Sequence, residues 1–300
     1  MSFAPPAPAQ RILPPGEAAG APLPWWAKIA AKMLLSRLLP SYTWRRRLGI
    51  GVHSYAAAAL GQPGAIAREI AWFTATAGRP PRSLLELGPG DSLANALYAA
   101  AGCIGRIWLM DTADHAVAGM EAYRAIAAGL PGISPDLSSR AAMLAGLNAT
   151  YLTTGLAGLA AIPDGAVDLT VSYTVLEHVR RAEFAPLLAE LHRVAAPGGL
   201  GLHVIDLMDH LGGGLNNLRL PAGFWENDFV ARSGFYTNRL QREAIRALAG
   251  QAGFETEIRE IVRWPELPIE HRRLAPEFHC VPAEELNTAL FTLGLRNKLD

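Results

Sequence analysis

The chain has 300 residues, half of them apolar and 18% charged, with 27 basic residues against 27 acidic ones. That balance excludes a disordered or fibrous polymer and describes one large globular domain with appendages. A net charge of zero provides no general basic field, so no nucleic-acid partner is expected.

Residues 1–24 are rich in proline and alanine, with no basic start followed by an apolar run, and read as a disordered or loosely draped tail without a secretory signal. Residues 25–80 read as a helical N-terminal extension or cap. Its first helix, over 25–39, has apolar residues scattered around its circumference, which favours a helix packed on the domain. Trp25, Trp26 and the basic run Arg45-Arg46-Arg47 keep a peripheral membrane contact open as the alternative. A spanning helix needs roughly 20 predominantly apolar residues. The long uncharged intervals 48–67 and 141–163 fail that test through their glycines, polar residues and prolines. The two cysteines, Cys103 and Cys280, lie far apart and fit a reducing compartment, so a cytoplasmic protein is expected. A second helix is expected over 65–77.

Residues 83–93 then read as a short buried strand, a glycine turn and a helix start. Gly88 and Gly90 permit close approach of a ligand to the backbone. Asp91 and Ser92 suit a helix N-cap. Together these make a nucleotide-type pocket. A dinucleotide fingerprint wants a third small residue where Leu93 stands, which argues against a dehydrogenase. The next strand, over 106–111, ends in Asp111, close to the ~20 residues expected between a glycine turn and a ribose-binding carboxylate. Capping of the following turn is the other reading of Asp111.

Helices are expected over 116–128 and 135–147, and a weak strand over 150–153. A fourth strand over 166–173 and a helix over 183–195 precede a fifth strand over 200–206. This alternation argues for an α/β fold with a doubly wound, parallel, Rossmann-like sheet. Residues 207–237 break the rhythm with three consecutive glycines and the aromatics Phe224, Trp225, Phe235 and Tyr236. They read as a substrate lid inserted after strand five, or as an aromatic mini-core. A helix over 239–252 and strands over 255–264 and 288–296 complete the chain.

Three stretches carry a family resemblance: Glu86-Leu87-Gly88-Pro89-Gly90, the segment from Asp168 through Glu177-His178-Val179, and Arg193-Val194-Ala195-Ala196-Pro197-Gly198-Gly199. In that order they resemble the small-molecule branch of class I S-adenosylmethionine-dependent methyltransferases. The resemblance implies a seven-stranded sheet with its last strand antiparallel, a methyltransferase domain over 81–300, and S-adenosylmethionine as cofactor. It implies cofactor contacts from Glu86, Gly88, Pro89, Gly90, Asp91 and Ser92 in the turn. Asp111 and Thr112 follow the second strand, and Ser172 and Tyr173 end the fourth. The acid that usually touches adenine has no counterpart; Thr153, Thr154 and Gly155 occupy its region.

Methyl transfer to a hydroxyl needs a base, and ligands sit at the carboxyl ends of the strands. His178, His210 and Asp206 are the catalytic candidates. His203, Asp206, Asp209 and His210 also write a metal-like pattern, but strand alternation sends His203 and Asp206 to opposite faces, and no metal is assigned. His53 and Tyr55 in the extension are candidates for the opposite wall. The expected activity is O-methylation of a small-molecule or glycan-linked (carbohydrate) acceptor. The rival is a non-catalytic cofactor-binding scaffold or membrane-associated partner protein.

Overall fold

The computed structural model describes residues 7–13, 24–38, 64–212 and 214–298. Arg45–Arg47, His53 and Tyr55, and most of the expected N-terminal tail, lie outside them.

Leu84, Leu85 and Leu87 are all fully buried, as a parallel strand covered on both faces requires. They belong to an eight-stranded sheet. Its strands are Ala9–Ile12 (β1), Ser83–Leu87 (β2), Arg106–Met110 (β3), Ala149–Leu152 (β4), Val167–Tyr173 (β5), Ala195–Asp206 (β6), Glu255–Arg263 (β7) and Thr288–Arg296 (β8). Their spatial order is β1-β7-β8-β6-β5-β2-β3-β4. Only β8 runs antiparallel, against both β6 and β7. The doubly wound sheet with an antiparallel last strand is therefore present, with one strand more than the expected seven. The extra strand, Ala9–Ile12, comes from the segment read as a disordered or loosely draped tail. Ala9–Ile12 pairs in parallel with residues 260–263, and main-chain bonding needs no apolar side chains to specify it.

Alternation along the strands separates two cores. Leu84, Leu109, Leu169 and Val171 face one layer of helices: Gly64–Ala77 (α2), Ala94–Ala101 (α3), Met120–Ala128 (α4) and Arg140–Gly146 (α5). That layer is preceded in the chain by Trp25–Leu38 (α1). Leu85, Leu87, Ile205, Phe291 and Leu293 face the other layer, Arg181–Val194 (α6) and Arg242–Gln251 (α7). The helix α6 passes straight into β6 at Ala195, so the strand begins earlier than the expected residue 200. Gly199 is required there, because a Cβ would lie 2.8 Å from the Ala196 carbonyl oxygen and 3.0 Å from that of Val167.

The insertion after β6 is folded on its own small core. Trp225, fully buried, meets Phe235 edge-on and stacks near Tyr236, and α1 adds Ile29. The Trp225 indole N–H donates to the Thr237 carbonyl at 2.7 Å. Arg239, whose side chain is fully enclosed, spans the Trp225 and Phe278 rings and pairs with Glu277 at 3.2 Å. Of the two readings of 207–237, this geometry is the aromatic mini-core. On α1, Trp26 and Leu34 stay 62% and 61% exposed. No helix among the described residues is long and apolar enough to cross a membrane.

Trp225→Ala should cost about 3–5 kcal/mol by leaving a cavity and an orphaned carbonyl. Urea denaturation measures this, and a loss below about 1 kcal/mol would show that the insertion does not hang on this ring.

Candidate active site

The glycine turn is built by backbone constraint. Gly88 and Gly90 have φ of 66° and 63°, a region that strains residues with a Cβ. A Cβ on Gly88 would also lie 2.5 Å from Val175 Cγ2. The Gly88 N–H donates to the Met110 carbonyl at 2.7 Å, and the Gly90 N–H donates to Asp111 Oδ2 at 3.1 Å. The following helix starts at Ala94 with Leu93 in the cap position, and no side chain caps it there. The expected Asp91 or Ser92 cap is thus displaced by one turn residue, and Ser92 Oγ only accepts from the Ala94 N–H at 3.2 Å. Leu93 is fully buried in the core, where a dinucleotide fold would place its third glycine.

The turn opens into a cavity of about 800 Å³ at the carboxyl ends of the strands. A row of direct neighbours across the sheet lines it: Tyr173, Val204, Thr292, Glu260 and Ala9. Four interstrand steps make this floor ~19 Å long. Arg68, Glu69 and Trp72 of α2 also line it. A volume of this size exceeds the lower bound of roughly 300 Å³ for a ligand pocket more than twofold.

Two carboxyl groups dominate its electrostatics. Glu86 is 3% exposed, and its Oε1 accepts from Asn95 Nδ2 at 2.6 Å while Oε2 is buried with no partner. Burial pushes Glu86 up to about 7 and the Asp111 charge adds to the rise, against the Asn95 bond. Glu69, 7% exposed, is also pushed up to about 7 by burial, although Arg68, Tyr173 and Arg259 all oppose the shift. The Tyr173 hydroxyl donates to Glu69 Oε1 at 3.4 Å, and burial together with both glutamates drives this phenol well above its ordinary range.

Of the residues expected to bind cofactor, Glu86, Gly88, Pro89, Gly90, Asp91, Ser92 and Tyr173 line the cavity. Asp111 and Thr112 stand beside the turn. Asp111 Oδ1 accepts from the Thr112 N–H at 2.7 Å while Oδ2 holds Gly90, so this carboxylate organises the turn whatever else it binds. Ser172 departs from expectation. Alternation points it to the opposite face from Tyr173, where it is fully buried and its hydroxyl lies 2.8 Å from His203 Nδ1. His203 is equally buried, and desolvation pushes it down to about 4.

The catalytic candidates fall outside the cavity lining. His178 Nδ1 lies 2.8 Å from the Tyr236 carbonyl, which fixes a proton on that nitrogen, and its Nε2 lies 3.2 Å from His210 Nε2. The two rings stack with centroids 4.9 Å apart. Asp206 shares the cavity's face of the sheet, two residues beyond Val204 and opposite Leu290. Its Oδ1 accepts from the Met208 N–H, and burial, with Asp209 adding, pushes it up to about 6. Asp209 is spent on the N–H groups of Leu211, Gly214 and Asn216 and on the Asn216 side chain. Among the described residues no group of three or more His, Cys, Asp or Glu is placed to hold a metal ion.

Residues 85–202 match the family model described as a methyltransferase domain. That span runs from β2 into β6 and contains the glycine turn, Asp111 and Tyr173. That span is similar to a methyltransferase domain. Its cofactor is S-adenosylmethionine. No curated protein matches the chain. The chain is similar in outline to the 1,6-didemethyltoxoflavin-N1-methyltransferase of Burkholderia thailandensis, solved with S-adenosylhomocysteine, at 14% identity, 93% coverage of each chain and a TM-score of 0.44. It is similar to an S-adenosylmethionine-dependent methyltransferase of Mesorhizobium loti at 16% identity, 72% and 91% coverage and a TM-score of 0.40. Neither likeness bears on the acceptor.

Glu69 escaped the reading of the sequence, although a signal existed. Ile66, Glu69 and Phe73 share one face of α2, so an acid interrupts an otherwise apolar stripe. Glu177 escaped in the same way. It is 1% exposed, and neither carboxyl oxygen makes a well-formed hydrogen bond. Burial raises it well above the usual range and nearby Asp206 adds to the rise, against the backbone N–H groups of Glu177 and Asp206.

A folded-state value above the unfolded one means that the folded state binds the extra proton, so this group's contribution to stability falls as pH rises past about 4.3. Glu177→Gln should therefore flatten the decline in unfolding free energy as pH rises above the ordinary carboxyl range. Equal declines in variant and wild type would refute the assignment.

Proposed function

We propose that the protein methylates an oxygen of a small-molecule or glycan-linked acceptor, with Glu69 as the base. The observation that carries this reading is the placement of Glu69. It lines the same cavity as the glycine turn, beside Tyr173, with a carboxyl brought to about 7. A base with that affinity is half ionised near neutral pH and takes a hydroxyl proton without a large uphill step. The helix α2, from the extension over 25–80, is thus read as part of the site beside the domain over 81–300, and a cytoplasmic location belongs to the same proposal.

The residues present fit the cofactor. Glu86 Oε2, buried and unpartnered, suits the ammonium of its methionine end. The two left-handed glycines leave the turn backbone open to close approach. Asp111 and Thr112 stand where a ribose edge would meet the end of β3. When bound, S-adenosylmethionine supplies a methyl group on a positively charged sulfur. The chain's own work is then to orient the acceptor, exclude water and receive a proton at a Glu69 oxygen.

The contact between His178 and His210 favours a second reading, in which this pair is the base. One Nε2 must donate to the other across 3.2 Å, which holds a proton ready for relay. Asp206 on the cavity's face of the sheet stays within this second reading.

Two measurements decide. In calorimetry the protein should bind S-adenosylhomocysteine, and Glu86→Gln should weaken that binding by roughly tenfold or more. Absence of binding by the wild type would sink the cofactor assignment for this site. With labelled cofactor and small molecules from cell extract, Glu69→Gln should lower turnover by roughly 10²–10⁴-fold and remove an alkaline rise in rate centred near pH ~7. Full turnover in Glu69→Gln with loss in His178→Gln would transfer the role to the histidine pair. Binding without any transfer would favour the scaffold.

A further inference from the structure

Outside the groups already given a role, the cavity retains donors that nothing in the described structure satisfies. Arg68 of α2 makes no hydrogen bond or ion pair with any described residue, yet it lines the cavity beside Glu69. Arg259 of β7 lies across the sheet. Its Nη1 is held by Glu257 Oε1 at 2.7 Å, and its guanidinium rests over the Trp72 ring, 4.7 Å from the centroid. Such stacking fixes the plane of the fork and leaves its remaining N–H groups for a ligand. The Trp72 indole N–H is itself buried without a partner. Arg11 of β1 enters from the far edge, only loosely paired with Glu260 at 3.7 Å. Three guanidinium groups from three elements thus line a cavity whose floor is partly apolar, through Leu202, Val204 and Leu290.

We propose that the methyl acceptor carries an anionic group, a carboxylate or a phosphate, bound between Arg68 and Arg259. This rests on reading the cavity as the site of methyl transfer. A guanidinium fork matches both anions in two-point geometry, and a site built this way selects for charge as well as shape. The backbones of β5, which bears Tyr173, and β7, which bears Arg259, are three strand spacings apart, ~14 Å. The acceptor is therefore a molecule whose reacting hydroxyl and anionic group are separated by no more than about that span. β1, formed by a segment with no other evident role, then serves to bring Arg11 to the anionic end.

The test uses protein loaded with S-adenosylhomocysteine, titrated calorimetrically with glycerol 3-phosphate, glycerate and glycerol at millimolar concentration. At least one of the two anions should bind and glycerol should not; which anion binds identifies the group. Arg68→Gln and Arg259→Gln should each weaken the anion by roughly tenfold to a hundredfold and leave S-adenosylhomocysteine affinity unchanged. Binding of neither anion, or equal binding of glycerol, overturns the proposal. So does a loss of S-adenosylhomocysteine affinity in the variants with the anion unaffected, since the arginines would then serve the cofactor. The labelled product formed by the wild type from cell extract should be retained on an anion exchanger, and a neutral product also overturns the proposal. Failure of S-adenosylhomocysteine itself to bind is a different result, and counts against the reading of the site.

Discussion

A carboxyl group inside a fully buried strand is the constraint from which the site follows. Leu84, Leu85 and Leu87 place β2 at the centre of the sheet with both faces covered. Glu86 sits among them, one oxygen on Asn95 and the other on nothing. Burying an acid without a full set of partners costs free energy, and the fold tolerates it by letting the group hold its proton more tightly. The acid lies where β2 gives way to a turn that only glycine can make without strain. A cation entering at that turn relieves the cost, so the stability of the strand and the affinity of the site are opposite sides of one balance.

The helix α2 is fixed to this strand system from below. Arg79, just past its end, makes two hydrogen bonds to Asp168 at 3.0 and 2.6 Å, and the Arg82 N–H adds a third at 2.7 Å. Burial alone would raise Asp168, but these partners hold it below the usual carboxylate range. Asp168 opens a segment that resembles the family, yet it stands at the amino end of β5, far from the cavity at the carboxyl end. Its role is to anchor α2, and through α2 to set the height of Glu69 over the sheet. A residue inside a recognisable motif can thus act on the site only by positioning another element.

The central part of the fold was legible because its signals are local. Leucine runs mark buried strands, Gly88 and Gly90 occupy backbone regions that other residues avoid, and Asp111 follows at the separation that topology imposes. The missing parts depend on contacts between distant segments. Nothing in Ala9–Ile12 announces a strand, since its pairing with β7 is made by main chain alone. Ser172 and Tyr173 are adjacent, and only the register of β5 decides which of them meets the cavity. His178 and His210 come together because the insertion folds around Trp225, a packing that periodicity does not encode. Glu69 was within reach of the sequence through its place on the apolar stripe of α2, a sign easily passed over when acids are sought only after strands.

The charges around the cavity make more sense as half of a set than as a finished arrangement. Glu69 and Glu86 both stand near the midpoint of their titration at neutral pH, and Tyr173 feels both of them. On the proposed reading, an ammonium at Glu86 favours the ionised carboxylate there and cancels its charge locally. Glu69 answers to other groups, the charges of Arg68 and Arg259 and the Tyr173 hydroxyl. An anion at Arg68 and Arg259 acts in the opposite sense on Glu69, because those two guanidinium groups, together with the Tyr173 hydroxyl, pull its proton affinity down. Neutralising them raises Glu69 and strengthens it as a base once the acceptor is seated. Proton affinity at Glu69 is then tied to occupancy of the anion site, and by linkage the acceptor senses the protonation of this carboxyl group.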